Sequence, residues 1–262
     1  QARYDEFWEN GYIVEKQLFN KDEMDLLLKV ARGDKALADN AYGPTDAQGG
    51  ISRLSLRNDL PDDMYSACVR SRRVTDRVEQ VLGDEIYHWH HKMMLKEPRI
   101  GGAWEWHQDY GYWYKNNHCL YPDLASALIA VDRATKENGC LQVIRGSHKL
   151  GRVEHGTSGT QVGADPQRVE AALKHPDMEL VYCELEPGDL LIFHSNVLHR
   201  SNQNRSENPR WSLICCYNTK HNDPFQKPAG HPSYEPMERW DDSRVLEIGR
   251  EQWAQMQSTT AE

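Results

Sequence analysis

The stretch Pro187-Gly-Asp-Leu-Leu-Ile-Phe-His-Ser-Asn-Val-Leu-His-Arg-Ser201 decides how the rest of the chain is read. Pro187-Gly188-Asp189 is a turn signal, and the apolar run after it, residues 189–194, reads as a strand. His199 stands beyond that strand and leads into a polar turn. The same texture extends in both directions. Residues 86–95, 124–131, 140–144, 179–185 and 210–217 read as strands, punctuated by Asn138-Gly139 and Arg145-Gly146-Ser147. Residues 149–176 are polar and glycine-rich and read as a long loop over the mouth of a barrel.

Before Gly83 the pattern is helical. Asn20-Lys-Asp-Glu23 has capping-box character ahead of Met24, Leu27 and Val30. Residues 62–82 carry apolar positions at helical spacing, with Gly83 as the stop. A helix-like segment recurs at residues 245–256. Many short strands behind helical flanks predict a mainly β protein of the α+β type, a β-sandwich or jelly roll with helices packed outside. No repeat or linker divides the 262 residues. One domain is expected: a mostly helical part at 1–83, a β-sandwich core at 84–220 and a C-terminal extension at 221–262.

Composition narrows the function classes. The net charge of −9 argues against a sequence-independent nucleic-acid binder, which needs a basic face. No apolar run approaches the ~20 residues of a membrane span. The first ten residues are polar and aromatic and do not read as a secretion signal. The 6 cysteines contain no C-x-x-C pair and read as reduced thiols of a cytoplasmic protein. The 12 histidines and 8 tryptophans prompt a search for a metal site.

The sharpest local pattern is Trp106-His107-Gln108-Asp109-Tyr110. On an extended segment His107 and Asp109 point to one face and reach one ion. His199 is a third ligand, with His194 as its rival. Two histidines and a carboxylate on one face of an octahedral ion leave three open positions, the arrangement of oxygen-activating non-haem Fe(II). Arg210 opens a strand running back beside that of His199, and a guanidinium there suits a dicarboxylate. Ser201 adds a hydroxyl. Trp104, Trp106, Tyr110, Tyr112, Trp113 and Tyr114 crowd the same region and are candidates for an aromatic substrate pocket, suited to a cationic group or a flat ring. Arg145 is a candidate contact for an anionic substrate group. His88 and His90 fall on one face of their strand and offer a weaker second metal site, with no carboxylate partner in view.

Several motifs then stand in one order: Gly11-Tyr-Ile-Val14, Met94-Leu-Lys96-Glu-Pro98 with Gly101-Gly102, His107-Gln-Asp109, Ile129-Ala-Val-Asp-Arg-Ala-Thr-Lys-Glu-Asn-Gly-Cys-Leu141, Gly146-Ser-His-Lys149, Pro187-Gly-Asp189, and His199 with Ser201 and Arg210. In that order, over roughly residues 5–217, the chain resembles the phytanoyl-CoA dioxygenase family of Fe(II)- and 2-oxoglutarate-dependent oxygenases. The resemblance implies a cupin-like double-stranded β-helix and a hydroxylase that uses Fe(II), 2-oxoglutarate and O2 on a small-molecule substrate. It implies His107, Asp109 and His199 as iron ligands, Arg210 with Ser201 on the distal carboxylate of 2-oxoglutarate, and Lys92 lining the cosubstrate pocket. Leu128 stands where the family often has an aromatic residue. Asp109 favours hydroxylation, because related halogenases carry a small residue in its place. The competing reading is an O2-independent metal hydrolase or isomerase on a cupin-like barrel, which has no need of Arg210. A catalytically inactive binding protein is a third reading. Neither the substrate nor the oligomeric state is legible.

Overall fold

In the computed structural model, which describes residues 1–260, two antiparallel sheets face each other and helices cover the outer side of the larger one. The chain runs through α1 (Ala2–Asn10), β1 (Tyr12–Glu15), α2 (Lys21–Gly33), α3 (Lys35–Asp39), β2 (Arg53–Arg57), α4 (Met64–Arg70), α5 (Arg72–Leu82) and β3 (Ile86–Lys96). It continues through β4 (Trp104–His107), α6 (Asp109–Asn116), β5 (Leu124–Ala130), β6 (Leu141–Arg145), β7 (His155–Ser158), β8 (Gln161–Ala164) and α7 (Pro166–Lys174). The last elements are β9 (Glu179–Cys183), β10 (Leu190–His194), β11 (His199–Ser201), β12 (Arg210–Thr219) and α8 (Arg244–Thr260). The large sheet has the order β1-β10-β5-β12-β3-β2, the small one β4-β11-β6-β9, and β7-β8 is a separate hairpin. This is the mainly β, double-stranded β-helix architecture with flanking helices. Among the described residues no helix is long and apolar enough to cross a membrane.

The large sheet is buried on both faces, which is why β5 and β12 read as nearly continuous apolar runs. Along β12, Leu213, Cys215 and Tyr217 pack with α2, α4 and α5, while Ile214 and Cys216 face the space between the sheets. The helices form where capping and amphipathic spacing agree. Asn20 accepts from the Glu23 amide, Glu23 answers at the Asn20 amide, and Met24, Leu27 and Val30 turn inward.

Three expectations need correction. The single helix read over 62–82 is two, α4 and α5, broken at Ser71 in an extended conformation. Trp240 from the C-terminal region takes the Arg72 amide and donates to the Arg70 carbonyl, so the tail supplies the bonds a continuous helix would have made. The loop read over 149–176 holds the β7-β8 hairpin and α7. Asp165-Pro166 carries the local signal for the start of α7: Asp165 caps the Arg168 amide and proline occupies the first turn. Finally, β1 and β2 lie in the part read as mostly helical, and both join the large sheet.

Candidate metal centre

His107 ends β4 and His199 begins β11, and the two are register partners across that antiparallel pair. Their rings stand 4.1 Å apart between centroids. His107 Nδ1 lies 2.8 Å from the Glu105 carbonyl and His199 Nδ1 lies 2.9 Å from the Val197 carbonyl. Each Nδ1–H therefore donates to backbone, and each Nε2 presents a lone pair inward. Asp109 Oδ1 lies 3.5 Å from His107 Nε2 and 3.8 Å from His199 Nε2. The three ligand atoms lie within 4.8 Å of one another. Asp109 reaches them from a different element than expected. The strand stops at His107, Gln108 is extended, and Asp109 is the first residue of α6. The shared face comes from a strand-to-helix junction, not from strand alternation.

The protonation states suit a cation. Burial alone would raise the Asp109 carboxyl, but the two imidazoles facing it and the Lys92 ammonium outweigh burial and hold the group below the ordinary carboxylate range. Burial, reinforced by His107, pushes His199 down to about 3, so it is neutral at physiological pH. The other carboxylate oxygen, Oδ2, accepts the Ser126 hydroxyl at 2.8 Å.

The cluster opens into a narrow cleft between the sheets, lined also by Lys92, Met94, Trp104, Leu128, Phe193, Ser201, Arg210 and Ile214. Arg210 is only 3% exposed. Among the described residues its guanidinium makes one hydrogen bond, a 3.5 Å contact to Ser212 Oγ, and its Nε has no partner. Burial brings its pKa down to about 10, which leaves it charged at neutral pH. A buried, under-paired guanidinium is costly without an anion, so the residues present fit both a metal ion and an acid anchored beside it. Ser201 Oγ accepts from Lys96 Nζ at 2.9 Å, which turns its own O–H free to donate.

Lys96 is absent from the residues the sequence singles out. It is register partner to Arg210, and burial followed by the Arg210 charge lowers its pKa well below the usual lysine value. The available signal is the period of two through Lys92, Met94 and Lys96. Lys92 does line the cleft, its Nζ 5.9 Å from the Trp104 ring.

The expected aromatic pocket is corrected: Trp104 and Phe193 line the cleft, and the other candidates do not. Trp106 alternates away from His107 and stacks under the Arg200 guanidinium at 4.8 Å. Because α6 starts at Asp109, the aromatics after it follow a helix and rotate away from the site. The Tyr110 hydroxyl donates to the Leu120 carbonyl, Tyr112 is exposed, and Trp113 packs on Trp89 and His90. Arg145 ends β6 at the surface, paired with Glu179 at 2.9 Å. His194 lies elsewhere, beside Trp8 and His148. His88 and His90 do not share a face. A bulge at Trp89 shifts the alternation, and His88 Nε2 meets His91 Nδ1 at 3.0 Å instead. Among the described residues, His107, Asp109 and His199 are the only cluster able to hold a metal.

Known proteins resemble this chain over most of its length. Residues 7–212 match the phytanoyl-CoA dioxygenase (PhyH) family. L-proline trans-4-hydroxylase of Streptomyces griseoviridis is 30% identical over 176 residues, 62% of this chain and 66% of that protein, just under two thirds of its length. Ectoine dioxygenase of Sphingopyxis alaskensis is 28% identical over 243 residues, 86% of this chain and 77% of that one. Among solved structures, EctD from S. alaskensis with 2-oxoglutarate and 5-hydroxyectoine superposes with a TM-score of 0.76 at 23% identity, covering 92% of this chain and 86% of that one. The epimerase SnoN in complex with Fe3+, alpha ketoglutarate and nogalamycin RO gives 0.72 at 17% identity, covering 92% and 96%.

Proposed function

The chain belongs to the phytanoyl-CoA dioxygenase family, and from that premise we propose that His107, Asp109 and His199 hold its iron and that Arg210, with Ser201, anchors 2-oxoglutarate. The enzyme is an Fe(II)- and 2-oxoglutarate-dependent dioxygenase that hydroxylates an aliphatic C–H bond of a small molecule and releases succinate and CO2. The observation that carries the site assignment is the buried Arg210, with Nε unpartnered, on the cleft that the two histidines and Asp109 share. A metal hydrolase has no use for that cation.

Ferrous iron, when bound with 2-oxoglutarate, supplies the O2 activation and the oxidising power that the protein lacks. The chain's own groups do the rest. Arg210 takes the far carboxylate in a two-pronged grip, and the Ser201 hydroxyl, with Lys96 donating to its oxygen, adds a third hydrogen bond. Lys92 would add its ammonium to the wall of the same cleft. Met94, Leu128 and Ile214 wall the cosubstrate from water. Trp104 and Phe193 bound the space left for the substrate, so a compact molecule is expected, with L-proline and ectoine the natural first compounds to screen. The six cysteines are all buried and free, which supports the cytoplasm as the working compartment.

Anaerobic addition of Fe(II) and 2-oxoglutarate to the apo-protein tests the assignment. A weak visible charge-transfer band is expected, and it should weaken in both Arg210→Ala and His199→Ala. Iron shown to bind without any band would overturn the cosubstrate site and bring the metal-hydrolase reading forward.

A further inference from the structure

We propose that His155, carried on β7, is a positioning residue for Asp109: it caps α6, the helix that Asp109 opens. The inference rests on the reading of Asp109 as a metal ligand.

Helix α6 lacks a side-chain cap from Gln108, the residue at its N-cap position. The amides at a helix start need partners from outside the helix. Here the Gln108 amide donates to His155 Nε2 at 2.9 Å, and the Tyr110 amide donates to the Ser195 carbonyl at 3.0 Å. His155 Nδ1 lies 2.7 Å from the Val153 carbonyl and donates to it, which fixes the tautomer and leaves the Nε2 lone pair for the amide. The imidazole lies against the helix backbone at Gly111, where a Cβ would come within 2.2–2.6 Å of its ring atoms. A side chain at that position would push the cap away.

The segment carrying His155 is itself tied to the site. The Gln108 side chain donates to the Gly151 and Asn196 carbonyls, each at 2.8 Å, and accepts from the Val153 amide at 2.7 Å. On β8, Gln161 accepts from the Glu105 amide and donates to the Ala103 carbonyl, both at 2.9 Å. The β7-β8 hairpin therefore grips β4, which ends in His107, with one strand, and α6, which begins with Asp109, with the other. Among the described residues His155 is not part of the cleft lining, and its ring hydrogen bonds go to backbone, at Gln108 and Val153. Its effect is to hold the strand-to-helix junction that sets two ligands on one ion.

The test uses Co(II) alone as an anaerobic probe, with affinity read by chelator competition and geometry by the visible ligand-field spectrum. It compares the full chain with H155L, H155Q and G111A. H155L removes the acceptor. G111A displaces the ring by a methyl group, although alanine is the better helix former. H155Q keeps an acceptor oxygen. Expected are a rise of about tenfold in the Co(II) dissociation constant and a changed band shape for H155L and G111A, with H155Q returning most of the affinity. H155L and G111A binding Co(II) like the parent, with the same spectrum, would overturn the proposal. Should H155L fail to fold by circular dichroism, G111A against the parent decides. A parent that takes up no Co(II) overturns the metal-site reading and this one with it. Because the probe is the metal alone, failure of the 2-oxoglutarate assignment leaves the outcome readable.

Discussion

Asp109 uses its two oxygens differently: Oδ1 faces both histidines, and Oδ2 accepts the Ser126 hydroxyl. That outer contact orients the carboxylate, so Ser126→Ala is expected to raise the Fe(II) dissociation constant about tenfold with little change in fold, measured by chelator competition. Arg210 has a stricter requirement. A planar fork meets a carboxylate with two parallel bonds, and a lysine ammonium does not. Arg210→Lys keeps the charge and is still expected to raise the KM for 2-oxoglutarate on the order of 100-fold, from the loss of about 3 kcal/mol of charged hydrogen bonding. Succinate release against cosubstrate concentration checks it, and an unchanged KM would remove Arg210 from the anchor. The chemistry of both residues is legible in the sequence itself: a His-x-Asp pair, a later histidine, and an arginine on a returning strand. The role of Lys96 is not legible there: the period of two puts it on the face of Lys92 and Met94, but only the pairing of its strand sets it beside Arg210 and Ser201.

At the scale of elements, local signals succeed where chemistry and spacing coincide. Asn20→Ala removes half of the capping box on α2 and is expected to cost about 1 kcal/mol, read from the urea midpoint at constant slope. Gly188 sits at φ +91° in the turn before β10, and a Cβ there would lie 2.2 Å from the Phe19 carbonyl oxygen. Gly188→Ala is expected to cost at least about 2 kcal/mol, through backbone strain and the displaced carbonyl; a variant as stable as the parent in the same titration would contradict this. The breaks are harder to see. Ser71 interrupts a helical pattern because Trp240, distant in sequence, competes for the backbone bonds on either side. The bulge at Trp89 moves His91 to the face of His88, and periodicity of two cannot reveal an inserted residue.

Across the whole molecule, burial of neutral histidines predicts sensitivity to acid. Burial pushes His90 and His194 down to about 3 and His88 to about 4. In the unfolded chain each titrates near the ordinary value of about 6.5. Below that pH the unfolded chain takes up protons that the folded one refuses, so stability falls as pH drops from about 6.5 toward about 4. Each histidine contributes on the order of 1 kcal/mol per pH unit over this window, and the losses accumulate. Against a total stability of about 5–15 kcal/mol, the apo-protein is expected to unfold cooperatively between about pH 4 and 5.5. Near-UV circular dichroism during an acid titration checks this, and a native signal at pH 4 would refute it. The β-rich class, the main strands, the capped helix and the residue types of the site are readable in one dimension, because they follow from short-range periodicity, turn chemistry and ligand preference. Which side chains share the cleft follows from folding in three dimensions. Trp104 faces it and Trp106 does not, Lys96 stands behind Ser201, and Asp109 arrives from a helix start. Those outcomes depend on where a strand ends and what packs beside it, and contacts between residues far apart in the chain settle both.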